Sequence, residues 1–370
     1  MNNNKVELII GGDFVPTDTN KNKVSSSDFI NMLDEEFIKY WKNADFRIIN
    51  LECVLCNDNR KKIKKCGPNI KTDMGCINGI KSLKPSVVLL ANNHIFDYGE
   101  DGLKDTMEIL DKNEIKYTGI IKDYNQKVED VILEKNGLKI GIYNVCENEF
   151  SVATKERIGT NGLNVVKNLL EVKELKEKTD FVVVIFHGGK EYYRYPSPDC
   201  KKICEDFVDF GANMVITQHS HCIGCKEIYK NGTIIYGQGD FLFDREGNPI
   251  RKDSLIIKVI FSNKGCDIEY IPIEKYDSLF RINYKKNILE DFEKRSNEIK
   301  QDSFVQEKYS EFAKDSLEIY FQMINYDSLK VKLVNHLKNE RYLTQLLNVL
   351  KCEAHRELLI KGLEEKLKEN

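Results

Sequence analysis

The sequence predicts an α/β layered fold with polar residues gathered at its strand ends, followed by an α-helical extension. Three observations carry this expectation. Between residues 5 and about 273, Val- and Ile-rich runs alternate with segments of helical period. Several of those runs stop directly in acids, amides or histidines. From about residue 280 strand signal almost vanishes, and apolar residues recur at three- and four-residue steps.

Taken in order, the strand candidates are "VELII", "DFRIIN", "SVVLLA", "LKIGIYNV", "DFVVVIF", "NMVIT" and "TIIYG". Continuous apolar runs of this kind suit central strands of a parallel sheet, covered on both faces. Between them, "SSDFINMLDEEFIKYWKNA" places Phe29, Leu33, Phe37 and Trp41 on one helical face, with Ser27 or Asp28 as its cap. "GLKDTMEILDKNEI" and "CKKICEDFVDFGAN" read as helices too, the second stopped by Gly211. "SLIIKVIFSNKGCDIEYIPI" reads as a hairpin turning at "NKG". The expected division is a body over 1–275 and a helical extension over 276–370, in which Leu333, Leu337, Leu343, Leu347 and Leu350 form one stripe. His336 and His355 fall there and read as ordinary helix-surface residues.

Composition narrows the function classes. The chain has 370 residues, 41% of them hydrophobic, enough for a sizeable core. Its 56 basic and 59 acidic residues leave a net charge of −3, which excludes the basic excess of a nucleic-acid binder. "MNNNKVELIIGGD" has no signal-peptide pattern, and no run approaches the roughly 18 apolar residues of a membrane span. A cytoplasmic protein is expected, membrane-associated only through a partner. Eleven cysteines, an odd number, read as reduced thiols. The pairs Cys53/Cys56 and Cys222/Cys225 read as incidental rather than as metal or redox sites.

The strand ends carry the chemistry. The first strand ends in Asp13, the second in Asn50 and Glu52, and the third in Asn92, Asn93 and His94. "DFVVVIFHGGKEY" ends in His187 and Glu191, and "NMVITQHSH" in His219 and His221. Four of the six histidines thus follow apolar strands directly. Parallel α/β sheets bind ligands beyond such ends. Imidazoles, carboxylates and amide oxygens form a mixed nitrogen and oxygen set, suited to manganese, iron or zinc and not to calcium.

"GGD", "NLE", "ANNHIFDYGEDGL", "HGGKEY", "QHSH" and "YGQGDFLFD" occur in the order seen in the CapA family of capsular poly-gamma-glutamate biosynthesis proteins. Over about residues 5–245 the chain resembles that family, itself similar to the calcineurin-like metallophosphoesterases. The resemblance implies a helix-flanked β-sandwich holding one or two divalent ions. It implies Asp13 and Glu52 as ligands of a first ion, Glu52 bridging, with His221 returning to that ion. Asn93, His187 and His219 would hold the second. His94 would assist the leaving group. Asp97 would orient it, or else cap the helix near "EDGL". Asn92, Glu191, Tyr192 and Arg194 would line the substrate cleft.

Departures from the general phosphoesterase pattern are visible. Val15 stands where the Asp-x-His motif has its histidine, Glu52 replaces the usual bridging aspartate, and Asp240 stands where asparagine is more usual. The activity implied is hydrolysis of a phosphoester by a metal-bound hydroxide, on an anionic substrate and beside capsule-synthesis machinery. Two other readings are a non-catalytic accessory subunit binding poly-gamma-glutamate or its synthase, and a gamma-glutamyl amide hydrolase.

Overall fold

The computed structural model describes residues 5–244, 248–285, 287–323 and 340–368, with backbone alone over 321–323. Two large sheets face each other. The first runs Leu279–Ile282, Gly265–Tyr276, Asp253–Ser262, Val6–Val15, Phe46–Leu51, Val87–Leu89, Tyr117–Thr118, and Asp240–Phe243 also pairs with Val6–Val15. The second runs Ile223–Tyr229, Gly232–Gln238, Met214–Gln218, Phe181–His187, Leu138–Cys146, Val131–Lys135.

Side-chain alternation explains why the central strands read as unbroken apolar runs. In Phe181–His187, Val183 and Ile185 point into the cluster between the sheets, which also takes Leu8, Ile10, Ile48 and Leu89 from the first sheet. Val182, Val184 and Phe186 point the other way, onto Leu169, Val172 and Phe207 of the flanking helices. On the opposite side Ile9, Ile49 and Val88 meet Phe37, Trp41, Ile80 and Leu103. Each such side chain contributes about 1.5–3 kcal/mol when buried, so both faces must be apolar. The result is the helix-flanked β-sandwich that the resemblance implies.

Parallel pairing brings the strand ends to one edge. Asp13 lies in register with Asn50 on one side and Asp240 on the other, and His187 with Gln218. The strands next to Asp13 approach so closely that a Cβ on Gly12 would sit 2.1 Å from the Gly239 carbonyl oxygen. Only glycine fits there.

The expected single helix over 26–44 is broken. A 3-10 turn, Phe29–Met32, precedes a helix, Glu35–Asn43, capped by Asp34, which accepts from the Phe37 amide at 3.0 Å. Neither Ser27 nor Asp28 caps it, although Phe29, Leu33, Phe37 and Trp41 are all buried together as expected. The hairpin at "NKG" forms, and a further edge strand follows it at Leu279–Ile282.

Helix Ile288–Glu298 then packs Ile288 and Phe292 into the inter-sheet cluster. Among the described residues, helices Phe304–Met323, Glu340–Lys351 and Glu353–Lys368 gather around Tyr309, Ala313, Tyr320, Val349 and Leu358. Body residue Tyr193 stacks on Phe312 with ring centroids 4.3 Å apart. The leucine stripe is not a buried seam: Leu343, Leu347 and Leu350 are 39%, 51% and 55% exposed. Leu333, Leu337 and His336 lie outside the described residues. His355 is no idle surface residue, since Tyr320 and Glu149 engage it. No helix among the described residues is long and apolar enough to cross a membrane.

Candidate metal centre

The strand ends build one buried polar cluster with two halves. In the first half, Glu52, His187 and His219 offer ligand atoms within 4.8 Å of one another. His187 Nε2 lies 3.4 Å from Glu52 Oε1 and 3.1 Å from Asn93 Oδ1. Glu52 is fully buried, and neither carboxylate oxygen has a hydrogen-bond partner. Burial, with the charge of Asp13 added, pushes its pKa up to about 8. Burial also pushes His187 down to about 4 and His219 down to about 3, so both imidazoles are neutral near pH 7. An unpartnered buried carboxylate between neutral imidazoles is costly by itself and is the donor set a divalent ion needs. The residues fit a metal.

In the second half, Asp13, His221 and Asp240 again offer atoms within 4.8 Å. Here every charge already has a protein partner. Asn50 Nδ2 donates to Asp13 Oδ1 at 2.7 Å. His221 Nδ1 lies 2.8 Å from Asp240 Oδ1 and 3.5 Å from Asp13 Oδ2. Arg251, itself 1% exposed, donates to Asp240 Oδ2 at 2.9 Å, and Lys275 Nζ lies 3.6 Å away. Burial works against a charged His221, but Asp240, Glu52 and Asp13 outweigh it and raise its pKa well above the ordinary value. Burial opposes a charged Asp13 too, yet His221 and His187 hold that carboxyl below its ordinary range.

A third group borders the first half. Asp97 Oδ2 sits 2.7 Å from His94 Nδ1 and accepts the Ile70 amide at 2.6 Å, while Lys65 pairs with Asp97 Oδ1. The following helix begins at Gly99 without a side-chain cap, so Asp97 is spent on His94 and not on that helix. The histidines of "QHSH" take positive φ, 84° at His219 and 53° at His221. That strained turn aims both imidazoles back over the strand ends.

Two expected cleft residues are placed otherwise. Asn92 is fully buried, donating to Asn50 and Leu51 and accepting the amides of His94 and Ile95, so no polar atom remains for a substrate. Arg194 donates to the Ile223 carbonyl at 2.9 Å, a backbone tie. Glu191 and Tyr192 stay near the cluster. Burial disfavours the Glu191 charge, but His219 and His221 pull its pKa to about 2, and the Tyr192 ring lies 6.1 Å from that of His221.

Sequence reasoning missed Glu147, whose Oε1 lies 3.4 Å from His219 Nε2. It ends the apolar strand Leu138–Cys146, so the strand-end rule reaches it when applied to that strand too. It also missed Arg251 and Lys65, for which no local pattern exists. Neither cysteine pair joins a group able to hold metal among the described residues, and all eleven cysteines are free.

Residues 7–245 match the family model described as bacterial capsule synthesis protein PGA_cap. The capsule biosynthesis protein CapA of Bacillus anthracis is 29% identical over 243 residues, 63% of this chain and 59% of that protein. The PGA biosynthesis protein CapA of Bacillus subtilis (strain 168) is 27% identical over 214 residues, 57% of this chain and 56% of that protein. A probable polyglutamine synthesis accessory protein of Mycobacterium tuberculosis is 27% identical over 219 residues, 55% of this chain and 57% of its own. The chain thus spans less than two thirds of the length of each of these relatives. The matched segment is well over half of the 370 residues and contains both halves of the centre, from Asp13 to Asp240, so the chain belongs to the PGA_cap family of bacterial capsule synthesis proteins.

Proposed function

We propose that this chain is a metal-dependent hydrolase of the phosphoester type, working with capsule or polyglutamate synthesis machinery on an anionic substrate. The observation that carries the reading is Glu52, a fully buried carboxylate with two unpartnered oxygens beside neutral His187 and His219. Those three would hold the ion, with the Asn93 carboxamide as a neutral oxygen donor. When bound, a divalent ion lowers the pKa of a coordinated water toward about 7 and offsets charge on phosphoryl oxygens. Manganese, iron or zinc suits these ligands.

The chain's own residues do the rest. Asn92 pins the turn that carries His94 by accepting two successive amides. Asp97 fixes the His94 ring through Nδ1, which leaves Nε2 to hand a proton to the departing oxygen. Lys65 balances the Asp97 charge, and Glu191 borders the cleft.

The test is turnover by the metal-loaded full chain on phosphomonoesters, phosphodiesters and gamma-glutamyl peptides. Phosphoester turnover that His94→Ala lowers by roughly 10²–10⁴ with metal retained supports the hydrolase. Metal bound with no turnover on any substrate overturns it, and cleavage of gamma-glutamyl peptides alone replaces it with an amide hydrolase. A second reading, an accessory subunit binding the polymer or its synthase, is favoured by the second half of the centre, where Arg251 and a protonated His221 already compensate both carboxylates.

A further inference from the structure

We propose a zinc site with its own ligands, adjoining the Glu52 half, that clasps the helical extension to the body and is formed by Glu149, Cys352 and His355. Glu149 belongs to the loop after strand Leu138–Cys146, three residues past that strand's end. Cys352 separates the last two helices, and His355 lies in the first turn of the last one. One ligand atom from each lies within 4.8 Å of the others. Tetrahedral zinc, with bonds of roughly 2.0–2.3 Å, draws such atoms together by about an ångström, which side-chain rotation supplies.

The donor set is chemically specific. A thiolate, an imidazole and a carboxylate suit zinc, and three protein ligands leave a fourth position for water. No residue of the Glu52 or Asp13 half contributes, and neither of those halves contains sulfur. Cys352 is 1% exposed, so ion binding expels its thiol proton to solvent and leaves a compensated thiolate.

The surroundings are built as around a ligating histidine. His355 Nε2 faces Glu149 Oε1 at 3.7 Å, while Nδ1 is hydrogen-bonded to the Tyr320 hydroxyl at 2.5 Å. Tyr320 is buried in the core of the extension, so the bond fixes the ring, and Nε2 is free to ligate when Nδ1 donates to the hydroxyl. Glu149 Oε1 also accepts from Asn348 Nδ2 at 3.2 Å. On either side the extension is already seated. Glu353 accepts from the Asn148 amide and from its Nδ2, both at 2.8 Å, and Glu357 accepts from the Asp199 amide at 2.9 Å. The clasp would close a joint that these contacts already align.

Cobalt(II) titration of the chelator-treated full chain tests this, because thiolate-to-cobalt charge transfer absorbs in the near ultraviolet and carboxylate or imidazole ligation does not. The band is expected to saturate at one cobalt per chain and to be displaced by zinc. It should persist in the His187→Ala/His219→Ala variant, which removes the Glu52 half, and vanish in Cys352→Ser. Tyr320→Phe keeps all three ligands and should weaken cobalt binding roughly tenfold. Absence of the band in the parent chain, or its survival in Cys352→Ser, overturns the proposal. Should Cys352→Ser fail to fold, His355→Gln reads the same site, and a band of unchanged affinity there overturns it as well.

Discussion

The two halves of the centre use nearly the same residue types to opposite ends. Around Glu52 the imidazoles are neutral and the carboxylate is unpartnered. Around Asp240 the imidazole is charged, and an arginine buried to 1% exposure completes the balance. A buried carboxylate must be compensated by something. At Glu52 neither oxygen has a protein partner and burial holds the carboxyl largely protonated near neutral pH, so an ion from solution would take the place of that proton. At Asp240 the protein has supplied its own. Ligand-type residues clustered at strand ends therefore do not by themselves make a metal site; the deciding quantity is which charges remain uncompensated.

Removing the charge of Asp240 is the strongest way to break that comparison. Asp240→Asn strands Arg251 in the interior, and breaking a buried pair this way costs about 3–5 kcal/mol. Urea unfolding of the metal-free protein should show that loss, while metal uptake at Glu52 is unchanged. Lost uptake with stability intact would mean that Asp240 is a ligand and that the halves are alike.

Metal addition gives the next largest effect. Manganese, which the thiolate group at Cys352 disfavours, should at about 100 times its dissociation constant stabilise the chelator-treated protein by about 2.7 kcal/mol, seen as a rise in melting temperature. Glu52→Gln should abolish the rise and leave the metal-free protein no less stable, because the carboxyl it replaces makes no hydrogen bond in the interior. A rise of equal size in Glu52→Gln would place the ion elsewhere.

Much of this was legible in the sequence, for physical reasons. Alternation across two covered faces makes Val182–Phe186 apolar at every position, so the central strands announce themselves. Parallel pairing then brings Asp13 and Glu52 to one end of the first sheet and His187 and His219 to one end of the second, and the packing of the two sheets makes these ends meet. What stayed hidden depends on pairings distant in the chain. Arg251 neutralises Asp240 from a 3-10 turn, and Lys65 reaches Asp97 from a lysine-rich stretch that reads as solvated surface. Asn92 reads as a cleft residue because residue type does not reveal that its hydrogen bonds are used locally. The long helix over 26–44 failed for a local reason, since Asp34 offers its side chain to a new helix start.

A third carboxyl sharpens the comparison with the smallest effect. Glu357, in the extension, is also pushed up by burial, to about 7, but its Oε1 is used by the Asp199 amide, and it belongs to none of the metal-holding groups among the described residues. Its folded-state pKa lies above its unfolded value, so its contribution is full below about pH 4.5 and lost as pH rises through about 7. Between pH 5 and 8 the parent chain should lose on the order of 1 kcal/mol that Glu357→Gln keeps, since partial contact with water discounts the full shift. Melting curves of both proteins across that range read the difference. Added manganese should leave it unchanged, because burial raises the pKa of both carboxyls but only Glu52 has its oxygens free. A metal-dependent difference at Glu357 would mean that burial, rather than an unpartnered carboxylate, is what marks a site in this fold.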